Sequence, residues 1–445
     1  MLPSTRSPAE PKLGQRCDSG LFTAVGHHNR MRTEGTLIGS CSTCLVRSPF
    51  SQSLFQSSQS SMPNVQHAYD DSSETPGQKI FDTIQQSAPH RGHIPSAANT
   101  QDHVHGQFTR KIVAVGDLHG DLPNAQQVLE LAGVVDQDGN WSGEVDFFVQ
   151  TGDIIDRGDD TIKLYDWMDK LRDQAQAVGG TVMSHLGNHE WMNAIGDWRY
   201  VYPSEIKTFG SVAARQKMLS TGRVGRTWAA NYTTASRLPL HSSLGPPNTD
   251  YEPSVTASSL SHAAISFVHG GLAPNYPELT PFPSRINELS SSLLHKLQHR
   301  VQPPPHPPNP YPGLPYDATQ AEHRMYDSDG PVWYRGWALD PDQEVCIKVD
   351  AVLQKTGTRR MVMGHTPDFQ KIVSRCGGKI IIIDTGISHA YGGALSALSV
   401  TYTLMPFTDA SGEKKWQERE VVKALYVDHE VLLADDKREV GGDFE

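Results

Sequence analysis

The chain has 445 residues, room for two or three average domains, yet only 37% of them are hydrophobic and these are unevenly spread. A formal net charge of −11 with no basic cluster argues against a nucleic-acid-binding surface. No apolar segment approaches the roughly 18 residues needed to span a bilayer, so a soluble chain without membrane contact is expected.

From Met1 to about Gly106 there is no sustained hydrophobic period of 2 or 3.6. Stretches such as "SPFSQSLFQSSQSSMPNVQ" cannot bury enough apolar surface to offset chain entropy, so residues 1–106 read as a disordered low-complexity tail. Arg6, Arg16, Arg30, Arg32 and Arg47 among serines suit an organelle transit peptide. Prolines and glycines spoil the amphipathic helix such a peptide needs, which favours a cytoplasmic over a mitochondrial location. Cys41 and Cys44 form a CxxC with no second pair nearby. With Cys17, Cys346 and Cys376 they show no disulfide-framework spacing, so free thiols in a reducing compartment are expected.

After the tail, six short apolar runs end in polar residues: "KIVAVGDLHGD" from Lys111, "EVDFFVQTGD" from Glu144, "GGTVMSHLGNHE" from Gly179, "HAAISFVHGG" from His262, "RRMVMGHTP" from Arg359 and "KIIIIDTGIS" from Lys379. Runs of this length and composition, bounded by Gly and Asp, read as strands buried on both faces. Helix-like segments, "NAQQVLELAG" and "DTIKLYDWMDKLRDQAQAVGG", separate the first three and imply βαβ units, an α/β fold with helices covering a sheet. A further helix is expected over "VAARQKML". Asp159 and Asp160 suit the first turn of the helix "DTIKLYDWMDKL", where the helix dipole favours acids. Residues 107–430 read as one domain with loop insertions near 242–260 and 300–318, followed by an acidic tail at 431–445. Eight prolines in the fourteen residues "QPPPHPPNPYPGLP" make the second insertion an extended surface spacer. "DQDGN" from Asp136 lacks the Gly and Glu positions of a calcium loop and reads as a polar turn.

In α/β folds ligands bind outside the carboxyl ends of the strands. Five such ends here deliver metal-type ligands: Asp117 and His119, Asp153, Asn188 and His189, His269, and His365. Imidazoles with carboxylates and one amide suit Mn, Fe or Zn, and the absence of Cys disfavours a structural zinc. The set exceeds the needs of one ion. A pair about 3.5–4 Å apart, bridged by a carboxylate, would use it and suits in-line attack of water on phosphorus. Arg157 and Arg335 are candidate grips for phosphate oxygens. Asn188 and His189 offer a ligand and a general acid at one turn, with Asp156 the candidate carboxylate to orient that acid.

The ordered words "GDLHG", "GDIIDRG", "GNHE", "HGG" and "GH" resemble the phosphoprotein phosphatase superfamily of metallophosphoesterases. "GNHEWMNAIGDWRYV", "GPVWYRGW" and "IIIDTGISHAYGGALSAL" resemble its Shewanella-like branch, over roughly 111–403. This resemblance implies a β-sandwich of two mixed sheets flanked by helices, with two metal ions at the strand ends. Asp117 and His119 would hold the first ion and Asp153 would bridge; Asn188, His269 and His365 would complete the second. His189 would be the acid supported by Asp156, Arg157 would bind phosphate, and Arg335 matches the Arg of the branch's WYRG motif. "IDTGIS" stands where eukaryotic Ser/Thr phosphatases carry SAPNYC, so a toxin-sensitive enzyme of that kind is not expected. Asp384 in that word reads first as a turn cap and second as a site residue. A phosphatase acting on phosphoprotein, at Tyr or Ser/Thr, is the leading expectation. A dinucleoside-polyphosphate hydrolase and a metal-binding scaffold without activity are the alternatives.

Overall fold

The computed structural model describes residues 106–253 and 260–444. The tail expected over 1–106, with its arginines and the Cys41–Cys44 pair, lies outside the described residues apart from Gly106.

In chain order, β1 (Phe108–Val115), α1 (Leu122–Leu131), β2 (Phe147–Gln150), α2 (Thr161–Ala177), β3 (Thr181–His185) and α3 (Asn188–Ile195) alternate as the apolar runs imply. Three short helices follow, α4 (Pro203–Thr208), α5 (Val212–Leu219) and α6 (Arg223–Asn231), then β4 (Tyr232–Thr233), β5 (Ala235–Pro239) and β6 (Ala264–Val268). Next come α7 (Ser284–His299), α8 (Gln320–Tyr326), α9 (Gly336–Leu339) and α10 (Asp342–Thr356). The chain closes with β7 (Arg360–Met363), β8 (Val373–Arg375), β9 (Ile380–Ile382), β10 (Ser396–Thr408), β11 (Lys414–Tyr426) and β12 (Glu430–Val440).

The strands make two mixed sheets, one ordered β12-β11-β10-β1-β2-β3-β4 and one ordered β5-β6-β7-β9-β8. Within them β1, β2, β3 and β4 run parallel, as do β6, β7 and β9. Side chains alternate across each strand, and both faces are covered. Ile112, Ala114, Phe147 and Val149 meet Leu238, Ile265, Phe267, Val362 and Ile381 between the sheets. Val113, Val115 and Phe148 point the other way, onto Val128, Leu129, Leu164 and Met168 of α1 and α2. Met361, Met363, Ile380 and Ile382 of the second sheet pack on Val345, Val349 and Val352 of α10. Double coverage is why these strands read as continuous apolar runs.

Local chemistry sets the helix ends that matter for the site. The Asp121 carboxylate accepts from Asn124 N at 3.1 Å, and a proline stands in the first turn of α1. At the start of α3, Glu190 reaches back to accept from Gly187 N at 2.8 Å, and Gly196 ends the helix in the left-handed conformation.

Four expectations need correction. The segment read as an acidic tail forms β12, paired antiparallel with β11 through Glu430–Val440, because its alternate side chains suit an edge strand with one solvated face. Cys346 and Cys376 are joined by a disulfide, against the expectation of free thiols; the turn between β8 and β9 carries Cys376 onto α10, across 30 residues of sequence. The helix after "TGDIIDRGDD" begins at Thr161, with Asp160 at its cap position and bonded to Lys163 Nζ at 2.7 Å, so neither acid lies in the first turn. The proline-rich insertion is more than a spacer. His306 N donates to Gly196 O at 2.9 Å, Trp198 N donates to His306 O at 2.6 Å, and Gln216 Nε2 donates to Pro303 O at 2.7 Å, which clamps the chain leaving α3. "DQDGN" is the polar turn expected, with Asp136 Oδ1 accepting from Asp138 N and Asn140 N.

Candidate metal centre

Because β1, β2 and β3 run parallel in one sheet and β6 and β7 in the other, their carboxyl ends open at one edge of the sandwich. Among the described non-glycine residues seven have positive φ, and five of them are candidate site residues: His119 (43°), Asp153 (57°), Asp156 (71°), Arg157 (62°) and His365 (68°). Such conformations cost about 1–3 kcal/mol each and persist only where the surroundings over-determine them. Here they do. Leu118 N and His119 N both donate to Asp153 O at 3.0 Å. The buried Glu190 carboxylate accepts from Asp153 N (2.8 Å), Ile154 N (2.9 Å), Gly187 N (2.8 Å) and the Tyr165 hydroxyl (2.8 Å), tying "GDIID" to "GNHE".

Two triads result, His119–Asp153–His189 and Asp153–His269–His365, each with its possible ligand atoms within 4.8 Å of one another, and Asp153 belongs to both. Asp153 Oδ2 lies 3.2 Å from His269 Nε2 and 3.8 Å from both His119 Nε2 and His189 Nε2. Asp117 Oδ2 stands 4.0 Å from His119 Nε2. Backbone carbonyls select the tautomers. His119 Nδ1 donates to Ile155 O at 3.0 Å, His269 Nδ1 to Thr151 O at 2.9 Å and His365 Nε2 to Trp333 O at 3.2 Å, so each ring turns a bare lone pair to the centre. The His269 lone pair then faces Asn188 Oδ1 at 2.8 Å as well as Asp153. Three acceptors thus converge with no proton among them, an arrangement a cation satisfies. The residues present fit divalent metal ions.

Electrostatics agree. Burial, with the carboxylates of Asp384 and Asp153 nearby, pushes Asp117 well above the usual range. Burial also opposes charge on Asp153, but the charged forms of His269, His189 and His119 hold it well below; with those rings neutral, a bound cation would take over that part. Burial and the neighbouring His189 drive His119 down to about 3, the neutral form that ligates. Carboxylates crowded without a counterion are what a cation relieves.

Residues 110–369, more than half of the chain, match the family model for calcineurin-like phosphoesterases. The chain belongs to the calcineurin-like phosphoesterase family. This phosphoesterase is 35% identical over 302 residues to an uncharacterized protein of Schizosaccharomyces pombe, covering 66% of the chain and 78% of the relative. It is 27% identical over 338 residues to Shewanella-like protein phosphatase 2 of Arabidopsis thaliana, covering 68% and 77%. A solved cold-active protein-tyrosine phosphatase from a psychrophilic Shewanella species shares its fold, with a TM-score of 0.51 at 23% identity over 73% of this chain and 80% of that one.

The remaining candidate residues stand around the triads. His189 Nδ1 bonds Asp156 Oδ2 at 2.7 Å, both buried, which leaves Nε2 facing the centre. Burial works against a charged His189, but Asp153 and the bonded Asp156 outweigh it and raise its pKa. The Arg157 guanidinium lies 4.2 Å from the Tyr200 ring centre and 4.9 Å from that of Tyr391, and its buried Nε has no hydrogen-bond partner among the described residues. Two aromatic faces thus hold an arginine with donors to spare, a seat for an anion. Arg335 sits on the rim, where Nη1 donates to His365 O at 2.7 Å and Thr366 Oγ1 at 3.1 Å. It borders a cleft of about 920 Å³ lined also by Trp333, Tyr334, Tyr311 and Arg199. Asp384 does cap its turn, accepting from Gly386 N at 2.9 Å, and its carboxylate also faces Asp117.

All ten expected site residues therefore meet at or beside one centre. The sequence reading missed Glu190, Asn193, Arg215, Tyr200 and Tyr391. Asn193 carried a signal, four residues after His189 on one helical face. Arg215 carried none, since it approaches Asp156 from 59 residues away.

Proposed function

We propose that this chain is a metal-dependent phosphatase that releases orthophosphate from phosphate monoesters on proteins. The observation that carries the reading is the placement of the His189–Asp156 pair and the unpaired Arg157 around two histidine–aspartate triads that share Asp153. Asp117 and His119, with Asp153 between, would hold one ion; Asn188, His269 and His365 would hold the second. Nitrogen and oxygen donors without thiolate suit Mn, Fe or Zn. When bound, such ions lower the pKa of water and polarise phosphate oxygens. Arg157 receives non-bridging oxygens of the phosphate, with Arg335 at the rim as a further cation for them. Asp156 fixes the His189 ring so that its Nε2 proton meets the leaving oxygen. Tyr200 and Tyr391 hold Arg157 in place beside the centre.

The test is a panel of phosphopeptides, Tyr against Ser/Thr, incubated with the chain loaded with each of Mn, Fe and Zn. Orthophosphate release supports the reading. Release of nucleotides from diadenosine tetraphosphate, with the phosphopeptides untouched, overturns it.

A further inference from the structure

Behind the site the buried polar side chains form one connected chain. Asp156 gives Oδ2 to His189; its other oxygen, Oδ1, accepts from Asn193 Nδ2 at 2.9 Å and lies 3.5 Å from Arg215 Nη2. Asn193 also donates to His189 O at 2.9 Å and accepts from Arg215 Nη1 at 2.6 Å. Arg215 Nη2 continues to Glu205 Oε1 at 3.0 Å, an oxygen that receives the Thr161 hydroxyl at 2.7 Å as well. The rings of Trp198 and Phe209 cover the guanidinium at 4.5 and 5.3 Å. Asp156, Arg215, Glu205 and Thr161 have no solvent exposure at all.

Stability alone is a poor reason for this arrangement. Burying an ion pair carries a desolvation cost that its mutual attraction often fails to recover, and apolar residues of the same volume often serve stability as well. What the chain provides is geometry. An aspartate carboxylate turns easily about its last torsion, where the energy wells are broad. With Oδ1 taken by Asn193 and Arg215, the carboxylate plane is set and only Oδ2 is left for His189. The Asn193 bond to His189 O fixes the same residue from its backbone. The direction of Nε2 follows from these two constraints.

We infer that Asn193 and Arg215 are positioning residues for protonation of the leaving group, acting through Asp156 on His189. The inference rests on the reading of His189 as the proton donor. In that step the bond from phosphorus to the leaving oxygen breaks and its electron pair stays on that oxygen. The oxygen takes the Nε2 proton, and water supplies the oxygen that replaces it on phosphorus. A donor held off line matters most when the leaving group is a poor one, because a stable anion departs without the proton.

The experiment compares p-nitrophenyl phosphate, whose leaving group is stable as an anion, with phenyl phosphate, whose leaving group is not, on the full metal-loaded chain. The variants are Asn193→Ala, Arg215→Met, Arg215→Lys and, as reference, His189→Ala. Asn193→Ala and Arg215→Met are expected to lose about 10–100-fold in kcat on phenyl phosphate, the scale of supporting partners around a metal site, and far less on p-nitrophenyl phosphate. KM and metal content stay at wild-type values, and Arg215→Lys recovers part of the loss. Asn193→Ala leaves the Arg215–Glu205 pair in place and decides the question by itself should Arg215→Met not fold. Equal losses on both esters, or no loss, overturn the inference provided that His189→Ala shows the leaving-group dependence. If His189→Ala also loses equally on both, the proton-donor reading itself has failed.

Discussion

Gly187→Ala tests how tightly the two central motifs are held together. Gly187 has φ −85° and ψ −178°, open to any residue, so backbone strain is not the issue. The difficulty is space: a Cβ would lie 2.2 Å from Asp153 Oδ1 and 2.6 Å from Asp153 N. Neither atom can give way cheaply. Asp153 N is bonded to Glu190 Oε2 at 2.8 Å, and Oδ1 accepts from His189 N at 2.9 Å. Relief requires the Asp153 loop to move by about an ångström, and overpacking of this kind costs about 1–3 kcal/mol. At about 2–4 °C per kcal/mol for a large domain, the melting temperature falls by roughly 2–12 °C. The same movement withdraws Asp153 Oδ2 from His269, now 3.2 Å away, and metal affinity falls by about 10–100-fold. Thermal melts with and without chelator, beside elemental analysis, measure both effects. The drop in melting temperature should survive chelation, because the clash needs no metal. A variant with full metal content and an unchanged melt refutes the close approach of the two motifs.

Asp153→Asn removes the carboxylate common to both triads and is expected to deplete both positions; elemental analysis that still finds about two equivalents rules out the bridging role. Arg157→Ala is expected to weaken inhibition by orthophosphate about 10–100-fold, the worth of one or two charge-assisted hydrogen bonds, and an unchanged inhibition constant removes Arg157 from the phosphate seat. Metal removal from the wild type is expected to lower its melting temperature, since ligation stabilises only the folded state; identical melts with and without chelator contradict this. Glu322, which is not one of the candidate metal-centre residues, supplies a pH-dependent stability test. Burial opposes its charge, but Lys296, Ser292 and Thr319 hold its pKa at about 2. Its stabilisation is complete above the unfolded value near 4.5 and is lost as pH falls towards 2. The gap in urea midpoint between wild type and Glu322→Gln is therefore expected to be wide at pH 7 and to close on acidification; a gap constant with pH speaks against the depressed pKa.

The parallel strands and the candidate metal ligands were legible because each depends on adjacent residues: a doubly buried strand needs an unbroken apolar run, and a ligand loop needs its Gly, Asp and His in a row. The antiparallel strands β10, β11 and β12 escaped notice for a physical reason. On β11 the inward positions include Trp416, Val422 and Ala424 but also Glu418 and Glu420, which break the apolar alternation. Those carboxylates are tolerated because Arg359 and Arg360 arrive from the second sheet, a pairing that no local window can show. The Cys346–Cys376 bond and the approach of Arg215 to Asp156 were hidden for the same reason, since only the folded chain makes these residues neighbours.

The left-handed backbone at Asp153, Asp156 and Arg157 carries a further consequence. Each of these residues occupies a conformation in which glycine would rest without strain, so the scaffold is less stable than its topology allows. At Arg157 glycine would relieve that strain and remove the proposed phosphate seat, so selection for robustness and selection for turnover pull in opposite directions there; at Asp156 the buried bonds to His189, Asn193 and Arg215 outweigh any such gain. Thermal stability selected without reference to catalysis would erode the proposed site first at Arg157.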